Sequence, residues 1–130
     1  MKLSHVAFWT NDATRLKAFY VKYFDARDLA ADAGDGSSSG FLDTGGGARL
    51  EIMQAHPPLS ADRQSEAGIG LTHIAFGAES RSEVDRMSDR FSTDGVRFEK
   101  PTVETEDGFY EFAVFDPDGN IVEITCKLAE

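Results

Sequence analysis

At 130 residues, 41% hydrophobic and 28% charged, the chain has the composition of one ordinary globular domain and not that of a disordered or membrane-spanning protein. Its formal net charge of −10, with no Lys/Arg cluster, argues against nucleic acid and anionic membranes as partners. The start Met-Lys-Leu-Ser-His lacks signal-peptide regions, no apolar run reaches membrane-spanning length, and the single Cys126 can form no internal disulfide, so a cytoplasmic location is expected.

Residues 3 to 9 alternate so that Val6 and Phe8 share one face of a strand and His5, Ala7 and Trp9 the other. Asp12 stands where a helix N-cap belongs, and Leu16, Phe19, Tyr20, Tyr23 and Phe24 recur at helical spacing, which predicts a helix over 13–24. Residues 32 to 40 are turn-forming; Phe41 and Leu42 begin a strand that turns at Gly45-Gly46-Gly47 into a further strand over 48–54. A polar stretch with Pro57, Pro58 and Gly68 reads as a linker over 55–70, with His56 as ordinary surface. The order then repeats: a strand over 71–77, a helix from Ser82 to about Asp94, and strands near 96–99, 109–115 and 121–126. Ser80 with Glu83 forms a capping box, Val84, Met87 and Phe91 give the second helix its stripe, and Gly95 closes it. Asp116-Pro117-Asp118-Gly119 is a strong turn signal.

The repetition extends to the wording. Leu3-Ser4-His5-Val6-Ala7-Phe8 returns as Leu71-Thr72-His73-Ile74-Ala75-Phe76, and Gly47-Ala48-Arg49-Leu50-Glu51-Ile52 is echoed by Gly119-Asn120-Ile121-Val122-Glu123-Ile124. One domain made of a module 1–54, the linker 55–70 and a module 71–130 is therefore expected, each module running strand, helix and up to three antiparallel strands. On all four strands the His or Glu points away from a pair of apolar residues. A lone histidine on a strand is more often a hydrogen-bonded core residue, and a lone glutamate more often a solvated one. Two of the three histidines at one position of a repeated phrase weigh against coincidence.

His5, Glu51, His73 and Glu123 are accordingly the expected ligands of one divalent metal per site, because carboxylates on an interior face are costly unless a cation offsets them. Two imidazoles and two carboxylates without thiolate suit Ni, Co or Zn first, and Mn or Fe as well. An octahedral ion would keep two positions for adjacent oxygens of a substrate and act as a Lewis acid toward an enediolate-like charge. A displaced glutamate, Glu51 or Glu123, would then serve as base. Strand parity adds Trp9, Met53 and Thr125 on the ligand faces, with Arg49 beside Glu51 and Glu111 beside Ala113, as substrate-pocket candidates.

These residues give the chain a resemblance to the vicinal oxygen chelate superfamily, which includes glyoxalase I, extradiol dioxygenases and the fosfomycin and bleomycin resistance proteins. The resemblance covers nearly the whole chain, and Asp-Pro-Asp-Gly-Asn-x-x-Glu at 116–123 is its most specific segment. It implies an α+β fold in which two βαβββ modules form a curved mixed sheet around a metal-binding cavity. The His, Glu, His, Glu set is most similar to bacterial glyoxalase I, a lactoylglutathione lyase. On that likeness Glu123 becomes the base that moves a proton between adjacent carbons of a glutathione hemithioacetal of methylglyoxal. One position departs: where bacterial glyoxalase I usually has an arginine, four residues after the first histidine, this chain has Trp9. The alternatives are an extradiol dioxygenase, which would leave Glu51 surplus, and a small-molecule-sequestering resistance protein, which needs none of the four ligands. A homodimer acting on a small molecule is expected, with the two half-sites drawn from one chain or from two.

Overall fold

The computed structural model describes residues 1–29, 38–60 and 69–129. The chain divides into two compact units, Met1–Ala61 and Asp62–Glu130. Most of the turn-forming run over 32–40 and residues 61–68 of the linker lie outside the described residues.

The first unit comprises β1 (His5–Thr10), α1 (Ala13–Phe24), β2 (Arg27–Asp28), β3 (Gly40–Asp43) and β4 (Arg49–Gln54). Its sheet has the order β1-β4-β3-β2, with β1 parallel to β4 and the other pairs antiparallel. The helix starts because the Asp12 side chain accepts from the backbone N–H of Arg15 at 3.0 Å. It stops at Asp25, whose φ of 50° is left-handed, a conformation that Asp tolerates better than most residues. Leu16, Phe19, Tyr20 and Tyr23 are buried, as are Leu50 and Ile52 of β4, while Val6 and Phe8 are half-buried. The strand β2 has no counterpart among the expected elements, since two residues are too short for any alternation to show. It is tied down from α1: the buried Lys17 reaches Asp28 with its Nζ 3.2 Å from Oδ2.

The second unit comprises β5 (Ile74–Gly77), α2 (Arg81–Thr93), β6 (Phe98–Glu104), β7 (Phe109–Phe115) and β8 (Ile121–Lys127), in the sheet order β5-β8-β7-β6. Again the first strand of the unit is parallel to the last and the rest are antiparallel. Each unit is thus a strand, a helix and three strands, the βαβββ arrangement expected from the repeat. Ser80 accepts from the N–H of Glu83, but the Glu83 carboxylate returns to the N–H of Glu79, so the capping box closes one residue early. Val84, Met87 and Phe91 face Phe112, Val114, Val122 and Ile124 in the core.

Two strands differ from expectation by three residues or more at one end. The strand expected over 71–77 begins at Ile74, where pairing with Val122 starts, so His73 precedes it. The strand expected near 96–99 runs instead over Phe98–Glu104, with register shifts between Phe98 and Lys100 and between Lys100 and Val103. Pro101 lies within that interruption, and a proline has no N–H to give a ladder. No helix among the described residues is long and apolar enough to cross a membrane.

Candidate metal centre

In the first unit the parallel pairing of β1 with β4 matches His5 with Arg49 and Ala7 with Glu51. His5 and Glu51 therefore meet on a diagonal, His5 Nε2 lying 3.4 Å from Glu51 Oε2. Phe41, the β3 partner of Glu51, packs edge-on against the imidazole at 5.4 Å between ring centroids. On the far side of the ring, Ser4 Oγ is 3.1 Å from His5 Nδ1.

The second unit repeats this geometry. Ala75 is matched with Glu123, and His73 Nε2 lies 3.5 Å from Glu123 Oε2. Thr72 Oγ1 takes the place of the serine hydroxyl, 2.8 Å from His73 Nδ1. Glu123 is the more enclosed carboxylate, 13% exposed against 26% for Glu51.

The donor chemistry fits a divalent ion. Two donors bound about 2.1 Å from one ion lie about 3.0 to 3.4 Å apart at octahedral to tetrahedral angles. The 3.4 Å separation in the first unit is at the upper limit of that interval and the 3.5 Å separation in the second lies just beyond it. When an imidazole carries its proton on Nδ1 and gives it to the neighbouring hydroxyl, the Nε2 lone pair faces the carboxylate, which is how outer partners orient metal-binding histidines. Within either unit, no further His, Cys, Asp or Glu among the described residues joins its pair closely enough to hold an ion. Each unit by itself therefore presents two ligands.

Around the second pair the structure adds a network. Lys100 Nζ lies 2.6 Å from Glu111 Oε1 and 3.4 Å from Glu123 Oε2, and Thr125 Oγ1 donates to Glu111 Oε2 at 3.0 Å. Burial works against ionising Glu111, yet the hydrogen bonds from Lys100 and Thr125 outweigh it and hold the carboxyl below the ordinary glutamate value. Burial likewise opposes the Lys100 charge, but Glu111 and then Glu123 raise its pKa above that of a free lysine. Parity had pointed to Glu111 and Thr125. Lys100 was missed because its strand was expected to end at residue 99, and parity with Phe98 would have misplaced it: a register shift matches Phe98 with Val114 and Lys100 with Ala113, adjacent residues on opposite faces of β7.

The remaining candidates lie in the first unit. Trp9 is 59% exposed on β1, matched with Met53 on β4. Arg49 is exposed and has no ion-pair partner among the described residues. At the corresponding places the second unit has Gly77 matched with Thr125, so only the first carries the large side chains. In the second unit Tyr110 donates to Asp85 at 2.6 Å and lies under the Arg81 guanidinium.

The family model described as Glyoxalase/Bleomycin resistance protein/Dioxygenase superfamily matches residues 2–124. The chain is 32% identical over 80 residues to uncharacterized protein YqjT of Bacillus subtilis (strain 168), a match covering 59% of this chain and 62% of that protein's length. In fold it is similar to a glyoxalase/dioxygenase from Nostoc punctiforme, with a TM-score of 0.83, 20% identity, and 98% of this chain and 92% of that one covered. It is similar as well to a lactoylglutathione lyase from Agrobacterium tumefaciens, with a TM-score of 0.71, 22% identity, and 96% and 92% covered.

Proposed function

Because the chain belongs to the Glyoxalase/Bleomycin resistance protein/Dioxygenase superfamily, we propose that it is a metal-dependent lyase or isomerase acting on a small substrate with vicinal oxygens, a glutathione hemithioacetal of methylglyoxal being the first candidate. The observation that carries this reading is the repetition of one arrangement: in each unit an imidazole Nε2 and a carboxylate Oε2 stand 3.4 or 3.5 Å apart, with a hydroxyl on the imidazole's other nitrogen. His5 with Glu51 and His73 with Glu123 are the proposed half-sets of ligands, supplied by one chain or by two in a homodimer.

A bound divalent ion, with Ni, Co or Zn ahead of Mn or Fe, supplies stabilisation of negative charge developing on substrate oxygens. The chain's own task is proton transfer. Glu123 takes the proton from the carbon that bears sulfur and hydroxyl and returns it to the adjacent carbonyl carbon, while the hydroxyl proton passes to the former carbonyl oxygen, an isomerisation that consumes no oxidant or reductant. His5 and His73 each offer the Nε2 lone pair to the ion. Arg49, exposed beside Glu51, is the cation for a carboxylate of the substrate, a role that Trp9 cannot fill.

An extradiol dioxygenase would leave one of the two glutamates without a task, and a purely sequestering protein would have no use for two matched His–Glu pairs. The deciding experiment quantifies metal in the purified protein and assays methylglyoxal plus glutathione after reconstitution with Ni, Co and Zn in turn. Metal content that His5→Ala reduces, with turnover that Glu123→Gln abolishes, is the expected result. Metal without turnover rejects that substrate. Oxygen uptake with a catechol would replace the reaction by the dioxygenase.

A further inference from the structure

The two half-sites differ in one respect that the sequence repeat gives no reason to expect. Among the described residues, His5 is the one partner paired with Glu51. In the second unit the same oxygen, Glu123 Oε2, faces both His73 Nε2 at 3.5 Å and Lys100 Nζ at 3.4 Å. The ammonium is anchored elsewhere: its shorter contact, 2.6 Å, is to Glu111 Oε1, and Glu111 is buried with its second oxygen taken by Thr125. The backbone supports this placement, since Lys100 is matched with Ala113, the β7 residue that is also matched with Glu123, and the β6 register shifts on either side of it.

We propose that Lys100, held by Glu111, competes with the metal for the Glu123 carboxylate, and so makes Glu123 the weakly held ligand and Glu51 the firmly held one. Lys100 is a positioning residue on this account, and the inference rests on the metal reading above. A fixed positive charge about 5 Å from a divalent ion weakens its binding about tenfold even at the dielectric of water. A carboxylate that accepts from an ammonium has somewhere to go when it leaves an ion, which a base that alternates between ligand and proton acceptor requires. Glu111 sets how far the competition runs, because the ammonium it holds at 2.6 Å is only partly available to Glu123.

This arrangement predicts effects of opposite sign from two partners in one salt bridge. Zinc affinity is measured by calorimetry on the metal-free full chain, for the wild type, Lys100→Met, Lys100→Arg, Glu111→Gln and His5→Ala. Lys100→Met tightens zinc about tenfold, Lys100→Arg stays close to wild type, and Glu111→Gln weakens binding by releasing the ammonium onto Glu123. Lys100→Gln is the second neutral variant, to be read if Lys100→Met does not fold. A merely structural salt bridge would give weaker binding for both Lys100→Met and Glu111→Gln, and that result overturns the proposal, as does unchanged affinity in both neutral Lys100 variants. If His5→Ala binds zinc as the wild type does, the metal reading fails with it; if His5→Ala loses binding while the neutral Lys100 variants gain none, only the present inference fails.

Discussion

His5 and Glu51 meet although the backbone pairs neither with the other: His5 is matched with Arg49 and Glu51 with Ala7, and the 3.4 Å contact between Nε2 and Oε2 is a diagonal reach across a parallel ladder. Such a contact depends on the angle of the imidazole, which is set by the hydroxyl at its Nδ1, Ser4 in one unit and Thr72 in the other.

Removing those hydroxyls should therefore weaken the proposed metal binding without touching a proposed ligand. Ser4→Ala and Thr72→Val are each expected to lower zinc affinity about tenfold, at the low end of what outer partners of metal-bound histidines contribute, with thermal stability little changed. Calorimetric titration checks this, and affinities equal to wild type would remove the hydroxyls from the site.

Lys17 tests a different pair. Its ammonium is buried on α1 and held by both oxygens of Asp28, at 3.3 and 3.2 Å. Asp28→Ala leaves that charge without its partner and is expected to cost about 1–3 kcal/mol by denaturant unfolding. Lys17→Met fills the same space without charge and should be neutral or stabilising. Equal destabilisation by both would mean that the pair itself contributes net stability.

The Asp-Pro-Asp-Gly-Asn turn is held by one side chain. Asp116 Oδ1 accepts from the backbone N–H groups of Asp118 and Asn120, each at 2.9 Å, and Oδ2 from the Asn120 amide at 2.8 Å. Gly119 supplies the positive φ, 83°, that closes the turn. Asp116→Ala leaves those donors unsatisfied and is expected to lower stability by about 2–3 kcal/mol. Because the turn leads into β8, it should also weaken metal binding through Glu123; stability loss with unchanged zinc affinity would separate the turn from the site.

Tyr110 gives the pH dependence. The hydrogen bond to Asp85, with burial and the Asp85 charge adding to it and Arg81 opposing, raises the phenol above its usual 10.0. The folded chain thus keeps a proton that the unfolded chain releases, so this contribution is complete below pH 10.0 and is lost as pH rises through the folded value. Ultraviolet titration of phenolate, with Tyr110→Phe subtracted, should show Asp85→Asn lowering the midpoint. An unmoved midpoint would rule out Asp85 as the cause.

Much of this protein could be read from the chain because the signals were local and written twice. Asp12 and the Leu16–Tyr20–Tyr23 stripe located α1 at both ends, and the alternation around Val122 and Ile124 located β8. The same repeat singled out His5, Glu51, His73 and Glu123, and the family match over residues 2–124 agrees with the resemblance those residues carry. Strand parity was enough to put Glu111 and Thr125 on the face of Glu123, because side chains alternate whatever the partner strand. Parity could not reveal β2, too short to alternate, nor the burial of Lys17 against Asp28, which are separated by a helix end. It could not reveal Lys100 either, because reaching Glu123 depends on β6 continuing past residue 99 and on the register shift between Phe98 and Lys100 beside β7. Sequence determined which residues have ligand chemistry and which face each occupies, since both follow from residue type and period. Tertiary structure alone decided that a lysine distant in the chain reaches the carboxylate of Glu123 and not that of its repeat-mate Glu51, because that depends on the alignment of strands, which no local pattern encodes.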